Sequence, residues 1–99
     1  MAKVILRQEA IDDLNDIWDY TFEKWSENQA NKYYASIKFV CKEIGKNPEL
    51  GKSYPEISKS LLGLKSGKHI IFYQHLTENK IEVIRILHER MDIKNRLPK

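Results

Sequence analysis

An α+β fold, in the order β-α-α-β-β-β with an α-hairpin packed on a mainly antiparallel sheet, is what this 99-residue sequence predicts. Three observations carry that prediction. A short apolar run, Val4-Ile5-Leu6, opens the chain; two amphipathic stripes of helical period follow; and three β-rich runs joined by short turns fill residues 62 to 87.

The first run reads as a strand whose place in the sheet the sequence leaves open. From Ala10, Leu14, Ile17, Trp18, Thr21 and Trp25 recur at the spacing of one helix face, while Asp12, Asp13, Asp16 and Asp19 fall mainly off it. Glu9, Asp12 and Asp13 near the start suit the positive end of a helix dipole. Ser26-Glu27-Asn28-Gln29 matches a capping box, so a second helix is expected there. Its stripe is Ala30, Tyr33, Tyr34, Ile37, Val40, Cys41 and Ile44, and Gly45 with Asn47-Pro48 supplies the stop. Both stripes are read as core, which buries Trp18, Trp25, Tyr33 and Tyr34; Tyr20, Phe22 and Phe39 lie off them.

Residues 46 to 60 hold Pro48, Gly51 and Pro55 without a sustained period and read as an irregular connection. Leu62 to Lys65, His69 to Leu76 and Ile81 to Leu87 are then three strands of a meander. Strict alternation puts His69, Ile71, Tyr73 and His75 on one face of the middle strand and Ile70, Phe72 and Gln74 on the other, the latter expected against the helices. In the last strand it separates Arg85 and Leu87 from Ile84, Ile86 and His88, so that Arg85 and His88 are not expected to converge.

Nothing in the chain reads as a linker, a repeat or a low-complexity tract, and residues 1–99 are taken as one domain. No apolar run approaches the roughly 20 residues of a membrane span, and the N-terminal apolar stretch is too short for a signal peptide. Cys41 is the only cysteine, which excludes an internal disulfide and fits a reducing cytoplasm. The formal net charge is +3, but its distribution says more: residues 1 to 25 hold three Lys/Arg against six Asp/Glu, and residues 80 to 99 hold six against three. An acidic helical start faces a basic end, whose Arg90, Lys94, Arg96 and Lys99 read either as a solvated tail or as a contact surface.

Certain residues go beyond pattern. Asp13-Leu14 with Ile17 and Tyr20, Gln29-Ala30 with Tyr33, Asn47-Pro48 with Gly51, His69 with Ile71-Phe72-Tyr73, and above all Val83-Ile84-Arg85-Ile86-Leu87-His88 with Arg90-Met91-Asp92, together resemble the ParE branch of the ParE/RelE toxin-antitoxin superfamily. Gln8 stands where relatives place a Ser or Thr helix cap, and Lys65 where many have arginine. The resemblance implies a RelE/ParE-like fold and the toxin of a type II toxin-antitoxin system. It further implies neutralisation by a ParD-like antitoxin, inhibition of DNA gyrase, and DNA contact only through the antitoxin or gyrase complex. No cofactor, metal or catalytic residue is expected. The alternative on the same scaffold is a ribosome-dependent mRNA endoribonuclease of the RelE type.

Candidate residues follow from these two readings. Target contact is assigned to Arg85, His88, Arg90, Met91, Lys94 and Arg96, and antitoxin contact to Tyr20, Phe22 and Phe39, apolar groups that need a cover. A nuclease would need an acid, a base and a cation, drawn from Lys65, His69, Tyr73 and Arg85. His88 and Arg85 each have a plainer reading, a backbone hydrogen bond and a carboxylate partner respectively.

Overall fold

The computed structural model describes residues 2–97, so Lys99 lies outside the described residues. Its elements are β1 (Lys3–Leu6), α1 (Gln8–Lys24), α2 (Glu27–Lys46), a 3-10 turn (Pro48–Leu50), β2 (Lys52–Ser53), β3 (Leu62–Ser66), β4 (His69–Thr77), β5 (Lys80–His88) and α3 (Ile93–Arg96). The five strands run β1-β5-β4-β3-β2. β1 is parallel to β5 and every other pair is antiparallel. The α+β prediction holds, and the first strand takes the edge beside the last.

Each turn has a local cause. Ser26 caps α2 by accepting the Gln29 N–H at 3.1 Å. α1 starts without a side-chain cap, as Gln8 in the cap region implied. The β3–β4 hairpin closes through Gly67 at φ +59, a left-handed conformation that costs any residue with a Cβ. Gly45 does not end α2 in that way; it lies buried in the last turn, where a Cβ would meet Val4 Cγ2 at 2.8 Å and Ala2 O at 2.9 Å. Its bareness lets α2 approach β1.

The core has two parts, one on each face of the sheet. Leu14 and Ile17 of α1 and Ile37, Cys41 and Ile44 of α2 pack on Ile71, Tyr73, Ile81, Val83 and Ile86. On the opposite face Leu61, Phe72, Ile84, Leu87 and Leu97 form a second cluster, with Tyr54, Ile57, Ile70 and Ile93 against it. This reverses the expected sides of β4: Ile71 and Tyr73 face the helices, and Ile70 and Phe72 face away. Both sides of that strand are apolar, so alternation could separate them without saying which the hairpin covers.

Two further expectations give way. Trp25 is 75% exposed, because α1 ends at Lys24 and the stripe was carried one residue past the helix that generates it. Trp18 is only half-buried; its Nε1–H donates to Asn31 at 3.0 Å and its ring stacks on Phe22, centroids 5.2 Å apart. Tyr33 and Tyr34 do pack partly buried against the core.

Gly67→Ala is expected to cost about 1–2 kcal/mol from the left-handed φ alone. The new Cβ would also press on the Tyr33 ring, 2.7 Å away, and urea unfolding of the two proteins reads the loss directly.

Candidate functional site

The sheet and α1 together create a cleft because β1 stops early. It pairs with β5 only from Lys3↔Lys80 to Leu6↔Val83, after which the chain turns into α1 and leaves the rest of that β5 edge uncovered. Asp13, one and a half turns into α1, fills the gap: its Oδ2 accepts the Ile86 backbone N–H at 2.9 Å. The same carboxylate takes Arg85 bidentately, Nε to Oδ2 at 2.7 Å and Nη2 to Oδ1 at 2.9 Å. Arg85 Nη1 then donates to the Arg96 carbonyl at 3.0 Å, tying the C-terminal segment to the same clamp. The hydrogen bonds to Asp13, outweighing the cost of burial, raise the guanidinium pKa above its ordinary value.

Arg85 and His88 both line this cleft, contrary to the alternation argument. Alternation itself holds from Arg85 to His88, and Arg85 reaches the cleft because its long side chain meets Asp13 at the β5 edge that β1 leaves open. A bulge just before Arg85, where Phe72 pairs with Arg85 but Tyr73 with Val83, leaves Ile84 unpaired and shifts the phase of β5 beyond it. Ile84 and Leu87 consequently share the far cluster, while Ile86 turns to the helices.

The cleft, about 600 Å³, runs between α1 and the C-terminal segment, with Asp16, Tyr20, His69, Arg90, Met91 and Arg96 also on its walls. It continues past Tyr20, His69 and His88 to Trp25, Tyr33 and Lys68. At the junction His69 and His88 form a cross-strand pair with rings edge to face at 5.2 Å. His88 Nδ1 accepts the Arg90 N–H at 3.1 Å, fixing the turn that leads to α3. Nδ1 of His69 shares a 2.6 Å hydrogen bond with the Tyr33 hydroxyl, which also takes the Lys68 N–H at 3.0 Å. Burial first, and the adjoining His88 second, push His69 down to about 4, so it is neutral at physiological pH.

The four nuclease candidates are not brought together. Tyr73 is fully buried; its hydroxyl donates to the Pro48 carbonyl at 2.6 Å and accepts the Gly51 N–H at 2.8 Å, pinning the connection after α2. It lies four residues from His69 along β4, about 13 Å at strand rise. Lys65 is exposed and paired with Glu89 at 3.2 Å, and Arg85 is held by Asp13. Only His69 and Arg85 of the set reach the cleft.

The other candidates separate as well. Arg90, Met91, Lys94 and Arg96 are exposed on a segment that is anchored, not free: Leu97 and Ile93 sit in the far-face cluster. Tyr20 (64% exposed) belongs to the cleft, Phe22 to the Trp18 stack, and Phe39 (62% exposed) to a different groove beside β1. Sequence reasoning missed Asp13 as a clamp and Trp25 as a wall of the cleft. An acidic residue in the first turns of a helix was read as a dipole partner, and no pattern announces that it caps a strand 73 residues away.

The chain resembles known proteins over most of its length. A family model described as the ParE toxin of type II toxin-antitoxin system, parDE, matches residues 4–93. Toxin ParE1 of Mycobacterium tuberculosis is 32% identical over 96 residues, covering 97% of this chain and 98% of that protein. Toxin ParE1 of Caulobacter vibrioides is 29% identical over 92 residues, 93% and 94% of the two chains. A solved structure titled chromosomal ParDE TA system from P. aeruginosa superposes with a TM-score of 0.77 at 18% identity, over 89% of this chain and 96% of that one, a likeness of fold.

Two outcomes follow from the clamp and the histidine pair. Asp13→Ala, which strands both the Arg85 charge and the Ile86 N–H, is expected to cost on the order of 3 kcal/mol, and Asp13→Asn about half of that because the amide oxygen still accepts from Ile86. Equal losses in chemical denaturation would refute the dual role. For His69, whose pKa falls from 6.5 unfolded to about 4 folded, the unfolded state binds the proton first. Its contribution is complete above pH 6.5 and is lost as pH falls toward 4, with a slope of up to about 1.4 kcal/mol per pH unit. The difference in stability between wild type and His69→Gln, measured from pH 7 to 4, should shrink across that window; a constant difference contradicts the assignment.

Proposed function

Because the chain belongs to the ParE toxin family of type II toxin-antitoxin systems, we propose that it arrests growth in the cytoplasm by binding DNA gyrase and blocking its cycle on DNA. The action is one of binding, without bond cleavage by the toxin, and a ParD-like antitoxin silences it by covering apolar surface at Tyr20, Phe22 and Phe39. One observation carries the target reading: Arg90, Lys94 and Arg96 stand exposed on a segment that Ile93, Leu97 and the Arg85 bond to the Arg96 carbonyl hold in place. A cationic surface fixed in advance loses little ordering entropy on contact with an anionic or polar target. Arg85 and His88 then act by positioning this segment, one through Asp13 and the other through the Arg90 N–H, while Met91 adds apolar area at the rim.

Among the described residues no helix is long and apolar enough to cross a membrane. Tyr20 shares the cleft with Arg90, Met91 and Arg96, whereas Phe22 and Phe39 lie outside it, so the exposed cations are open to mutation apart from those two. Removing everything after Asp92 would not isolate the target surface, since it also strips Ile93 and Leu97 from the far-face core. Charge reversal does.

Arg90→Glu with Lys94→Glu is expected to raise the concentration needed to inhibit gyrase supercoiling at least tenfold, with the unfolding midpoint unchanged. The wild-type protein, titrated into purified gyrase, should stop supercoiling near stoichiometric ratio. Undiminished supercoiling at large molar excess, with no cleaved DNA accumulating, rejects gyrase as the target.

A further inference from the structure

The cleft of about 600 Å³ has two walls of opposite charge. On the α1 wall stand Asp16 and Tyr20, four residues apart and therefore neighbours on one helix face. Across from them are His88, Arg90 and Arg96. Asp16, Arg90 and Arg96 are all exposed and, among the described residues, none is in an ion pair. The Tyr20 ring is largely open to water; the Lys24 ammonium lies 5.9 Å from its centroid, near the outer limit of a cation–π contact, where an aromatic ligand displaces it easily. His88 Nδ1 accepts the Arg90 N–H, so the proton of the neutral ring sits on Nε2 and makes that nitrogen a donor.

We infer that this cleft binds a guanine nucleotide, with its base stacked on Tyr20, its Watson–Crick edge on Asp16 and its phosphate between Arg90 and Arg96. The two walls match the two ends of such a ligand. Guanidinium groups and an imidazole N–H suit phosphate oxygens, and an exposed aromatic ring suits a base. The carboxylate selects which base. It can only accept hydrogen bonds, and guanine alone offers two adjacent donors, N1–H and the exocyclic amine, to its two oxygens; adenine and cytosine place a ring acceptor beside their amine, which a carboxylate repels. Asp16 also disfavours an acidic peptide, which the arginines by themselves would attract. Beyond Tyr20 the cleft continues for about 450 Å³ toward Trp25 and Lys68, a second aromatic ring and a further cation, so the nucleotide is either free or one unit of a single strand. The site uses Arg90 and Arg96, read above as target contacts, but does not rest on gyrase being the target. A bound nucleotide engages the same guanidinium groups that face a target, so the two exclude one another.

The test is an NMR titration of the ¹⁵N-labelled protein with guanosine monophosphate, adenosine monophosphate and inorganic phosphate, each to millimolar concentration. Guanosine monophosphate is expected to shift the amides of Asp16, Tyr20 and Arg90 saturably, and adenosine monophosphate to bind about tenfold or more weakly, as the loss of a bidentate pair implies. Asp16→Ala should make the two nucleotides equal, and Arg90→Glu with Arg96→Glu should abolish binding of both. These side chains are exposed, and the indole N–H of Trp18, bonded to Asn31 away from the cleft, reports whether a variant keeps its fold. A guanine dinucleotide separates the two sources: tighter binding that also moves the Trp25 indole N–H assigns the site to a single strand, and equal binding with Trp25 unmoved assigns it to the free nucleotide. Absence of saturable shifts with guanosine monophosphate overturns the proposal. So does equal affinity of the wild type for both nucleotides, or inorganic phosphate or a glutamate-rich peptide matching guanosine monophosphate. Neither gyrase nor antitoxin enters the measurement, so its failure leaves the target reading standing.

Discussion

The carboxylate of Asp13 joins three parts of the chain at one point. It stands on α1, accepts the backbone N–H that β1 leaves unpaired on β5, and holds the guanidinium that in turn holds the C-terminal segment. A buried backbone donor without a partner costs on the order of 1–3 kcal/mol, so a strand that outlasts its neighbour needs such a cap. Placing it on α1 sets the distance between helix and sheet there, and that distance is the width of the cleft. The bulge at Ile84 keeps Ile84 and Leu87 together in the far core and leaves Ile86 on the helix side.

Both faces of the sheet being covered has a functional consequence. An α-hairpin alone would leave Phe72, Ile84 and Leu87 exposed to water; the connection through Tyr54, Ile57 and Leu61 and the terminal Ile93 and Leu97 cover them. The basic end of the chain therefore owes its position to hydrophobic burial and to backbone hydrogen bonds at Arg90 and Arg96, and its charges are displayed by side chains that do none of the anchoring. In the same way His88 contributes a ring nitrogen to the turn at Arg90, and Tyr73 spends its hydroxyl on the loop after α2. Two residues with chemical potential in the sequence are thus structural in the fold.

The cleft carries mixed chemistry: aromatic groups at Trp25, Tyr20 and Tyr33, cations at Lys68, Arg90 and Arg96, and a neutral His69 between them. The groove beside β1 differs, being apolar with a lysine rim.

By itself the sequence determined the α+β class, both helices, the three meander strands within a residue or two, the Ser26 cap and the family, because each is written in local periodicity or in contiguous motifs. It also marked Tyr20, Phe22 and Phe39 as apolar groups outside the core stripes, and all three are exposed. Tertiary structure alone decided the rest. Which face of β4 meets the hairpin depends on what covers the other face; the convergence of Arg85 with His88 depends on the β5 edge that β1 leaves open to Asp13; the exposure of Trp25 depends on where a helix ends. The pairing of Asp13 with Ile86 and Arg85 spans more than 70 positions, and the open edge of β1 exists only once β1 has chosen β5 as its neighbour. Local sequence fixes the period of each element, whereas register, sidedness and edges are properties of pairs of elements and arise only when the chain has folded.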